Sequence, residues 1–321
     1  MSLDNLVANL SSPIILFFIL GVIATLIRSD LVFPEAFGKA IAVYLLLAIG
    51  FKGGVGLAVA GLSVQLVLAV VAALLLAVTT PLIAYALLRR MTGVAPLDAA
   101  AIAAHYGSAS LVTFLAATAF LAVRGPAAEP YLVTLLVVME SPAVIIGMIL
   151  ARRATSKEPR PGHGLREAFT NGSVVLLLGA TVIGAISDPR RLAEMDGFVV
   201  APFQGILGIF LLDMGLLAGR RLRDLRRIER SLLAFGLVMP LIGAVLGLAA
   251  AALLGLSVPG ATLLATLASS ASYIVVPAAF RHSYPEADTS LAVTLALGLT
   301  FPFNLMIGIP LYWGLAQALL G

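Results

Sequence analysis

Residues 97–123 read LDAAAIAAHYGSASLVTFLAATAFLAV, a run of transmembrane length with the string Gly107-Ser108-Ala109-Ser110 at its centre. About 20 mostly apolar residues are enough for a helix to cross a bilayer. Small residues in the middle of such a helix allow close backbone approach and local unwinding, which frees N–H and C=O groups for a ligand. The stretch therefore predicts a membrane helix that is interrupted near its midplane.

The whole chain has the composition of a membrane protein. Of its 321 residues, 61% are apolar and 11% are charged, against about 25% charged in an ordinary soluble domain. The absence of cysteine excludes a disulfide framework, a thiolate metal site and a cysteine nucleophile. The net charge of +4 comes from basic clusters between apolar runs, so it indicates membrane topology and does not point to nucleic acid.

Apolar runs long enough to cross the bilayer occur ten times, which predicts an all-α, polytopic membrane protein. The first run has neither a basic leader nor a convincing cleavage site, so we expect it to be retained as a helix. Numbered in chain order, the predicted spans lie near residues 13–28, 37–60, 64–88, 97–123, 131–151, 168–187, 199–219, 231–255, 259–280 and 289–318.

Lysine and arginine are distributed unevenly between the two sides that ten spans would create. Sixteen of the 20 basic residues fall near or in the loops that follow odd-numbered spans, three fall on the other side, and Lys52 falls within span 2. Because basic loops stay in the cytoplasm, this pattern predicts that both termini are external. The expected location is the plasma membrane, which is the inner membrane of a bacterium.

The central string of span 4 recurs in the second half of the chain, at nearly the same offset as two other matches. Repeats with an odd number of spans insert in opposite orientations, as in many secondary transporters. We therefore predict two inverted five-helix repeats, residues 1–153 and 167–321, joined by a cytoplasmic linker at 154–166. The matches are Gly107-Ser108-Ala109-Ser110 with Ser269-Ser270-Ala271-Ser272 and Gly53 with Gly215, both at 162, and Pro142 and Gly147 with Pro302 and Gly308, at 160 and 161.

The two strings are candidate substrate-binding segments because they lie at the centres of spans 4 and 9, which are predicted to be interrupted and to cross. N–H groups at the start of a half-helix carry partial positive charge and attract anions. The alternative is that small residues only allow tight helix packing. The candidate substrate positions are Gly107, Ser108, Ala109, Ser110, Ser270, Ala271 and Ser272.

Polar residues within spans are candidates for a coupling-ion site, since a charge inside the membrane costs about 2.5–3.5 kcal/mol. Glu140 and Asn304 lie at the centres of spans 5 and 10. With hydroxyls from Ser110, Thr113 or Ser272, they make a candidate oxygen cage for Na⁺, a hard cation. An alternative of equal weight is that Glu140 is the buried partner of Lys52.

Two further polar residues within the spans receive structural or coupling roles. Asp213, toward the cytoplasmic end of span 7, is expected to pair with the basic loop that follows it. For His105, hydrogen bonding is favoured over proton transfer because no acidic pair lies beside it. No histidines have metal-ligand spacing and no hydrolase or phosphate-binding motif occurs, so we predict no catalytic residue, no metal centre and no enzyme activity.

Three strings resemble signature segments of the sodium-dependent bicarbonate transporter family of cyanobacteria: YLLLAIGFKGG (44–54), AAHYGSASLVTF (103–114) and SSASYIVVPAAFRHSYPEAD (269–288). The resemblance implies a ten-helix fold with core and gate domains, and bicarbonate and Na⁺ bound where helices 4 and 9 cross. It also implies a homotrimer and, in cyanobacteria, a PII-like regulator at the cytoplasmic face. Carried over to this chain, the substrate positions are those of the two central strings.

The expected function is Na⁺-coupled uptake of bicarbonate or a similar small anion by alternating access. Four alternatives remain at this stage. A Na⁺/H⁺ antiporter would be expected to carry acidic residues beside the crossing, and none lies in 103–114 or 269–280. An organic-anion symporter would need a large apolar cavity, and a passive anion channel would work without an ion gradient. A scaffold protein would leave the two symmetric strings without a purpose.

Overall fold

The computed structural model describes residues 3–61, 63–125, 127–155, 172–188, 193–273 and 275–321. These residues are predominantly helical, and no strand occurs among them. Most of the predicted linker at 154–166 lies outside the described residues. Named in chain order, the helices of the first half are α1 Leu3–Leu10, α2 Pro13–Leu26, α3 Glu35–Ala60, α4 Val64–Met91, α5 Pro96–Gly107, α6 Leu111–Leu121 and α7 Leu132–Thr155.

The described part of the second half begins with the helix Gly172–Ile186 and ends with the long helical segment Thr289–Leu320. A short 3₁₀ turn at Ala193–Met195 precedes α9, and two π-helical turns, Ala296–Thr300 and Asn304–Gly308, interrupt the last segment. The helices are α8 Gly172–Ile186, α9 Asp196–Val199, α10 Phe203–Leu225, α11 Arg230–Leu254, α12 Val258–Ser269, α13 Val275–Ser283, α14 Thr289–Leu295, α15 Phe301–Phe303 and α16 Ile309–Leu320.

Seven helical segments among the described residues are long and apolar enough to cross a membrane. They are Glu35–Ala60, Val64–Met91, Pro96–Leu121, Leu132–Thr155, Asp196–Leu225, Arg230–Leu254 and Thr289–Leu320. Three apolar helices are shorter, namely Pro13–Leu26, Gly172–Ile186 and Val258–Ser269. An all-helical protein with several candidate membrane spans is confirmed, while the count of ten crossings stays a prediction.

Four helices form two closely packed pairs, in which α2 lies against α10 and α3 lies against α8. Glycines permit both contacts. A Cβ at Gly21 would collide with the backbone of α10, and one at Gly215 would collide with the backbone of α2. In the same way, Gly54 faces the carbonyl of Thr181 and Gly184 faces the carbonyl of Phe51. We call these four helices the support bundle.

The remaining long helices enclose the two interrupted ones, and we call this group the crossing bundle. In it, α5 packs between α4 and α7, whereas α12 packs between α11 and α16. Interior residues in α5 are small, and its alanines from Ala99 to Ala104 are all inaccessible to solvent. By contrast α4 exposes large apolar side chains such as Val67 and Leu75, a surface that suits the hydrocarbon of a bilayer.

Two carboxylates form hydrogen bonds at the ends of the interrupted helices that lie away from the breaks. Glu129, before α7, accepts hydrogen bonds from the backbone N–H and the hydroxyl of Ser257, at 2.7 and 3.0 Å, where α12 begins. Asp98, in the first turn of α5, accepts one at 2.8 Å from the N–H of Asp288. A carboxylate near a helix N-terminus is favourable because the N–H groups there are unpaired.

The glycine contacts can be tested with two alanine substitutions in the same helix. Gly184→Ala should lower the free energy of unfolding by about 1–3 kcal/mol, because the new methyl group overlaps the backbone of α3. Gly179→Ala is the matched control, since nothing lies within 4 Å of a Cβ built there. Thermal unfolding followed by the fluorescence of the single tryptophan, Trp313, measures both. Equal stability of the two variants would contradict the close packing.

Candidate functional site

Both central strings of the sequence interrupt their helices, as predicted. The first break lies between the end of α5 at Gly107 and the start of α6 at Leu111, and its residues Ser108 and Ser110 are extended. The second lies between the end of α12 at Ser269 and the start of α13 at Val275. Each break leaves backbone N–H and C=O groups without helical partners, and these groups need other partners inside a membrane protein.

The two breaks contact each other through hydrogen bonds. The N–H of Ser272 lies 2.9 Å from the carbonyl oxygen of His105 and 3.0 Å from that of Ser108, so it donates to both. In return, the N–H of Ser110 donates to the hydroxyl oxygen of Ser270 at 2.8 Å. Freed backbone groups of each interrupted helix are therefore satisfied by the other helix, which fixes the two strings against one another.

Two of the five serines in the strings have structural roles in this arrangement. Ser270 accepts from Ser110 while its own hydroxyl donates to the carbonyl oxygen of Leu267 at 2.8 Å. The hydroxyl of Ser108 donates to the backbone carbonyl oxygen of Glu140 at 3.3 Å, which links the first break to α7. Both side chains are engaged within the protein and are almost fully buried.

A cavity of about 30 Å³ lies beside the crossing, and we call it the crossing cavity. A water molecule needs about 10–15 Å³ by this measure, so the space holds about two of them. It is mostly apolar, with polar groups from both breaks and from α7. The lining residues are Leu46, Ala109, Ser110, Leu111, Val112, Leu136, Glu140, Ser173, Leu177, Ser272 and Tyr273.

The wall of the cavity formed by α6 and Ser272 offers hydrogen-bond donors. Leu111 and Val112 are in the first turn of α6, where N–H groups have no intrahelical acceptor, and no other acceptor for them occurs among the described residues. The hydroxyl of Ser272 is likewise unbonded within the described part of the chain. Among the described residues, the hydroxyl oxygen of Ser110 accepts only a long contact, 3.4 Å, from the N–H of Thr113. Such a wall suits an anion.

On another wall, the same cavity presents a carboxylate. Glu140 lies in α7, and no hydrogen bond or ion pair joins its side chain to any residue that the structure describes. The alternative of a Lys52–Glu140 pair is not borne out. Lys52 is exposed, and its amine lies 5.8 Å from the centre of the Phe203 ring. The carboxylate is therefore available to a ligand in the cavity.

Like Ser108 and Ser270, three further predicted substrate or ion residues lie close to the crossing without lining the cavity. Gly107 faces Pro81 of α4, whose ring carbons would be 2.6–2.9 Å from an added Cβ, so it serves helix packing. Ala271 is buried within the second break. Thr113 is buried in the first turn of α6, where its N–H meets Ser110. These positions shape the site through the backbone.

Asn304 is placed where it stabilises the second break. Its side-chain amide donates to the carbonyl oxygen of Ser269 at 3.0 Å, and its own oxygen accepts from the hydroxyl of Tyr312 at 2.7 Å. Asn304 begins the second π-helical turn, a feature often found at functional sites. It does not line the crossing cavity, so of the three predicted Na⁺ ligands only Glu140 does.

His105 and Asp213 lie apart from the cavity. The ring of His105 is fully buried, and its Nδ1 lies 2.7 Å from the carbonyl oxygen of Ala101, in keeping with the expected hydrogen-bonding role. Asp213 is half-buried and is attracted electrostatically by Arg220, the first residue of the predicted basic loop, although the two do not form a salt bridge. Both residues line a second, larger cavity.

Sequence reasoning missed the roles of two tyrosines. Tyr312 orients Asn304 by a hydrogen bond across eight residues of chain, and Tyr273 lines the crossing cavity next to Ser272. The only signal in the sequence for Tyr273 was its place directly after the second string. Nothing in the sequence marks Tyr312 as a partner of the second break, because the π-helical turns decide which side chains of the last segment face α12.

The fold and the site together define a helical membrane protein with a small polar cavity where two interrupted helices meet. The family model of the Na⁺-dependent bicarbonate transporter superfamily matches residues 13–317, nearly the whole chain. The chain belongs to this superfamily. It is therefore a transport protein and not an enzyme. No curated protein was found to match the chain.

Two substitutions can test whether Ser270 stabilises the crossing while Ser272 faces the cavity. Ser270→Ala leaves the N–H of Ser110 without an acceptor, so it should lower the free energy of unfolding by about 1–3 kcal/mol. Ser272→Ala removes a hydroxyl that faces the cavity and should have a much smaller effect. Thermal unfolding in detergent measures both variants. A Ser272→Ala protein that is the less stable of the two would contradict the assignment.

Proposed function

We propose that this protein is a Na⁺-coupled symporter for bicarbonate or a similar small anion. The observation that carries the proposal is that anion-binding donors and an unpaired carboxylate line the same small cavity. The donors are the first N–H groups of α6 and the hydroxyl of Ser272, and the carboxylate is that of Glu140. Membership of the Na⁺-dependent bicarbonate transporter superfamily supports the choice of bicarbonate as the anion and of Na⁺ as the coupling ion.

The size and chemistry of the cavity favour a small inorganic anion. About 30 Å³ of space is far too little for a sterol, which an organic-anion symporter for such substrates would hold at this place. Several weak donors suit an ion that must be released again, because a fixed positive charge would bind it more tightly. No lysine or arginine lines the crossing cavity, among the residues described.

The carboxylate gives a physical reason for coupling to a cation. An anion about 5 Å from an ionised carboxylate is repelled by about 3 kcal/mol at an effective dielectric constant of 20. A cation bound to Glu140 cancels this repulsion and adds an attraction to the anion. Hydroxyl oxygens of Ser110 or Ser272 are available as further ligands of the kind that Na⁺ prefers. We accordingly place the coupling ion at Glu140.

Coupling also removes an energetic barrier to uptake. A negative cell interior opposes the entry of one anionic charge by about 2.3 kcal/mol per 100 mV. Entry together with one Na⁺ is electrically neutral, so the sodium gradient drives uptake. A passive anion channel lacks this drive and would respond to the anion gradient alone.

Alternating access would follow from the inverted repeats. The packing of the support bundle favours the prediction of such repeats. The glycine contact of α2 with α10 corresponds to that of α8 with α3 when the halves are exchanged. Gly21 corresponds to Gly184 at an offset of 163, and by its contacts Gly54, the neighbour of the Gly53 matched in the sequence, corresponds to Gly215 at an offset of 161. These offsets lie within one residue of the 162 between the central strings. We propose that the crossing bundle moves relative to the support bundle.

Transport of labelled bicarbonate into proteoliposomes tests the proposal directly. An inward Na⁺ gradient should stimulate uptake by the unchanged protein. Glu140→Gln should lower the apparent affinity for Na⁺ about 10- to 100-fold, from the loss of a charged contact worth about 1.5–3 kcal/mol. Asp213→Asn is a matched control, since it removes a carboxylate outside the crossing cavity. Uptake that is indifferent to Na⁺ in the unchanged protein would refute the symporter and indicate a channel.

We further propose that both termini are external in the plasma membrane, on the basis of the basic loops. Single cysteines can report this because the chain has none of its own. Ala127→Cys should react with an impermeant maleimide in intact cells, whereas Arg226→Cys should react only after permeabilisation. Both positions are exposed. The reverse pattern would invert the orientation.

A further inference from the structure

A second cavity lies next to the crossing cavity, toward the end of the molecule where α3 begins and α10 ends. It has a volume of about 530 Å³, and we call it the vestibule. Four charged residues line it, Glu35 and Lys39 from α3 and Asp213 and Arg220 from α10. It is large enough to admit hydrated ions, whereas the crossing cavity holds about two water molecules.

Tyr273 lies between these two spaces. Among the described residues it is common to the linings of both, and it directly follows Ser272 in the second break. Its hydroxyl donates to the sulfur of Met214 in α10 at 3.2 Å, and its ring lies 6.5 Å from that of Phe301, centre to centre. The ring is thus held between the support bundle on one side and the last helical segment on the other.

We propose that the Tyr273 ring is the partition between the crossing cavity and the vestibule, and that it determines the size of the solute that can pass. This inference rests on the proposed function only for the identity of that solute. The partition itself is a property of the two cavities and is measurable without transport.

The hydrogen bond between Tyr273 and Met214 is weak and can be broken easily. Thioether sulfur is a weak hydrogen-bond acceptor, and a methionine side chain adapts readily to a moved neighbour. The contact joins the crossing bundle to the support bundle, so relative motion of the bundles would break it at small cost. A strong ion pair in this place would hold the partition shut.

The barrier at Tyr273 is steric and apolar instead of electrostatic. The charged residues that line the vestibule comprise two acidic and two basic side chains, and Lys39 is paired with Glu35 at 2.7 Å. The vestibule therefore has no strong preference for either sign of ion. What separates it from the crossing cavity is an aromatic ring, which a hydrated ion cannot pass without displacing it.

Cysteine accessibility tests the partition. The reporter is Ala109→Cys, which lines the crossing cavity, and the probe is an impermeant methanethiosulfonate reagent applied to membrane vesicles of either orientation. Adding Tyr273→Ala should accelerate modification from the vestibule side about tenfold or more, equivalent to about 1.4 kcal/mol off the barrier to entry. Tyr273→Phe keeps the ring and should change the rate less than about threefold, because only a weak hydrogen bond is lost.

Two controls make the result decisive. Leu217→Cys lines the vestibule, so it defines the accessible side and should react at the same rate with or without Tyr273→Ala. Tyr44→Ala removes a tyrosine that packs on Phe198 and lines neither cavity, and it should leave the reporter unchanged. An unchanged reporter rate in Tyr273→Ala, or an equal acceleration by Tyr44→Ala, would overturn the proposal.

The labelling result and the transport result can fail separately. Labelling that responds to Tyr273→Ala in a protein without Na⁺-stimulated uptake would retain the partition and refute the symporter. Normal Na⁺-stimulated uptake together with an unresponsive reporter would refute the partition alone. Where both hold, Tyr273→Ala should also let benzoate, an anion larger than bicarbonate, compete with bicarbonate more effectively than in the unchanged protein, since the opening is wider.

Discussion

The structure depends on the need to satisfy backbone polar groups inside a membrane. Two helices are broken near their centres, and each break would leave N–H and C=O groups unpaired in a medium without water. The N–H groups of Ser272 and Ser110 resolve this by bonding to the opposite break. Neither helix can be interrupted alone, since each supplies the partners that the other lacks.

This pairing also explains why so few groups remain for a ligand. Most polar atoms of the two strings are used in holding the breaks together, including the hydroxyls of Ser108 and Ser270. What remains facing the crossing cavity is the first turn of α6, the hydroxyl of Ser272 and the carboxylate of Glu140. A site with several weak donors and one carboxylate is suited to taking up an anion with a cation and releasing both.

The last helical segment, Thr289–Leu320, stabilises the second break by hydrogen bonds. Two π-helical turns change the direction of its side chains, so that Asn304 reaches the carbonyl oxygen of Ser269 and Thr300 bonds to the hydroxyl of Tyr106 at 2.7 Å. Thr300 also donates to the carbonyl oxygen of Gly236 in α11 at 2.8 Å. The crossing bundle is thus joined internally by buried hydrogen bonds and by glycine contacts of Gly243 and Gly247 in α11 with the backbone of α12, whereas the support bundle is joined mainly by glycine-mediated backbone contact.

Composition and periodicity by themselves determined the membrane environment, the helical class, the interruption of spans 4 and 9 and the contact between them. These follow from properties that are local in the chain: runs of apolar residues, and strings of small residues at a repeated interval. The sequence also marked Ser110, Ser272 and Glu140, which line the crossing cavity, as candidate site residues. It did so because a polar residue inside an apolar span is costly unless it has a partner or a ligand.

Only the tertiary structure decided which polar groups hold the two breaks together and which face the crossing cavity. Whether a serine holds the backbone or faces a cavity depends on the rotation of its helix and on which carbonyl lies opposite, and neither is encoded in spacing along the chain. The same reason placed Asn304 behind Ser269 instead of in the cavity, and separated Lys52 from Glu140. The glycine contacts, too, became visible only when pairs of helices that are distant in the chain were brought together, since a close approach is a property of two surfaces and not of one sequence.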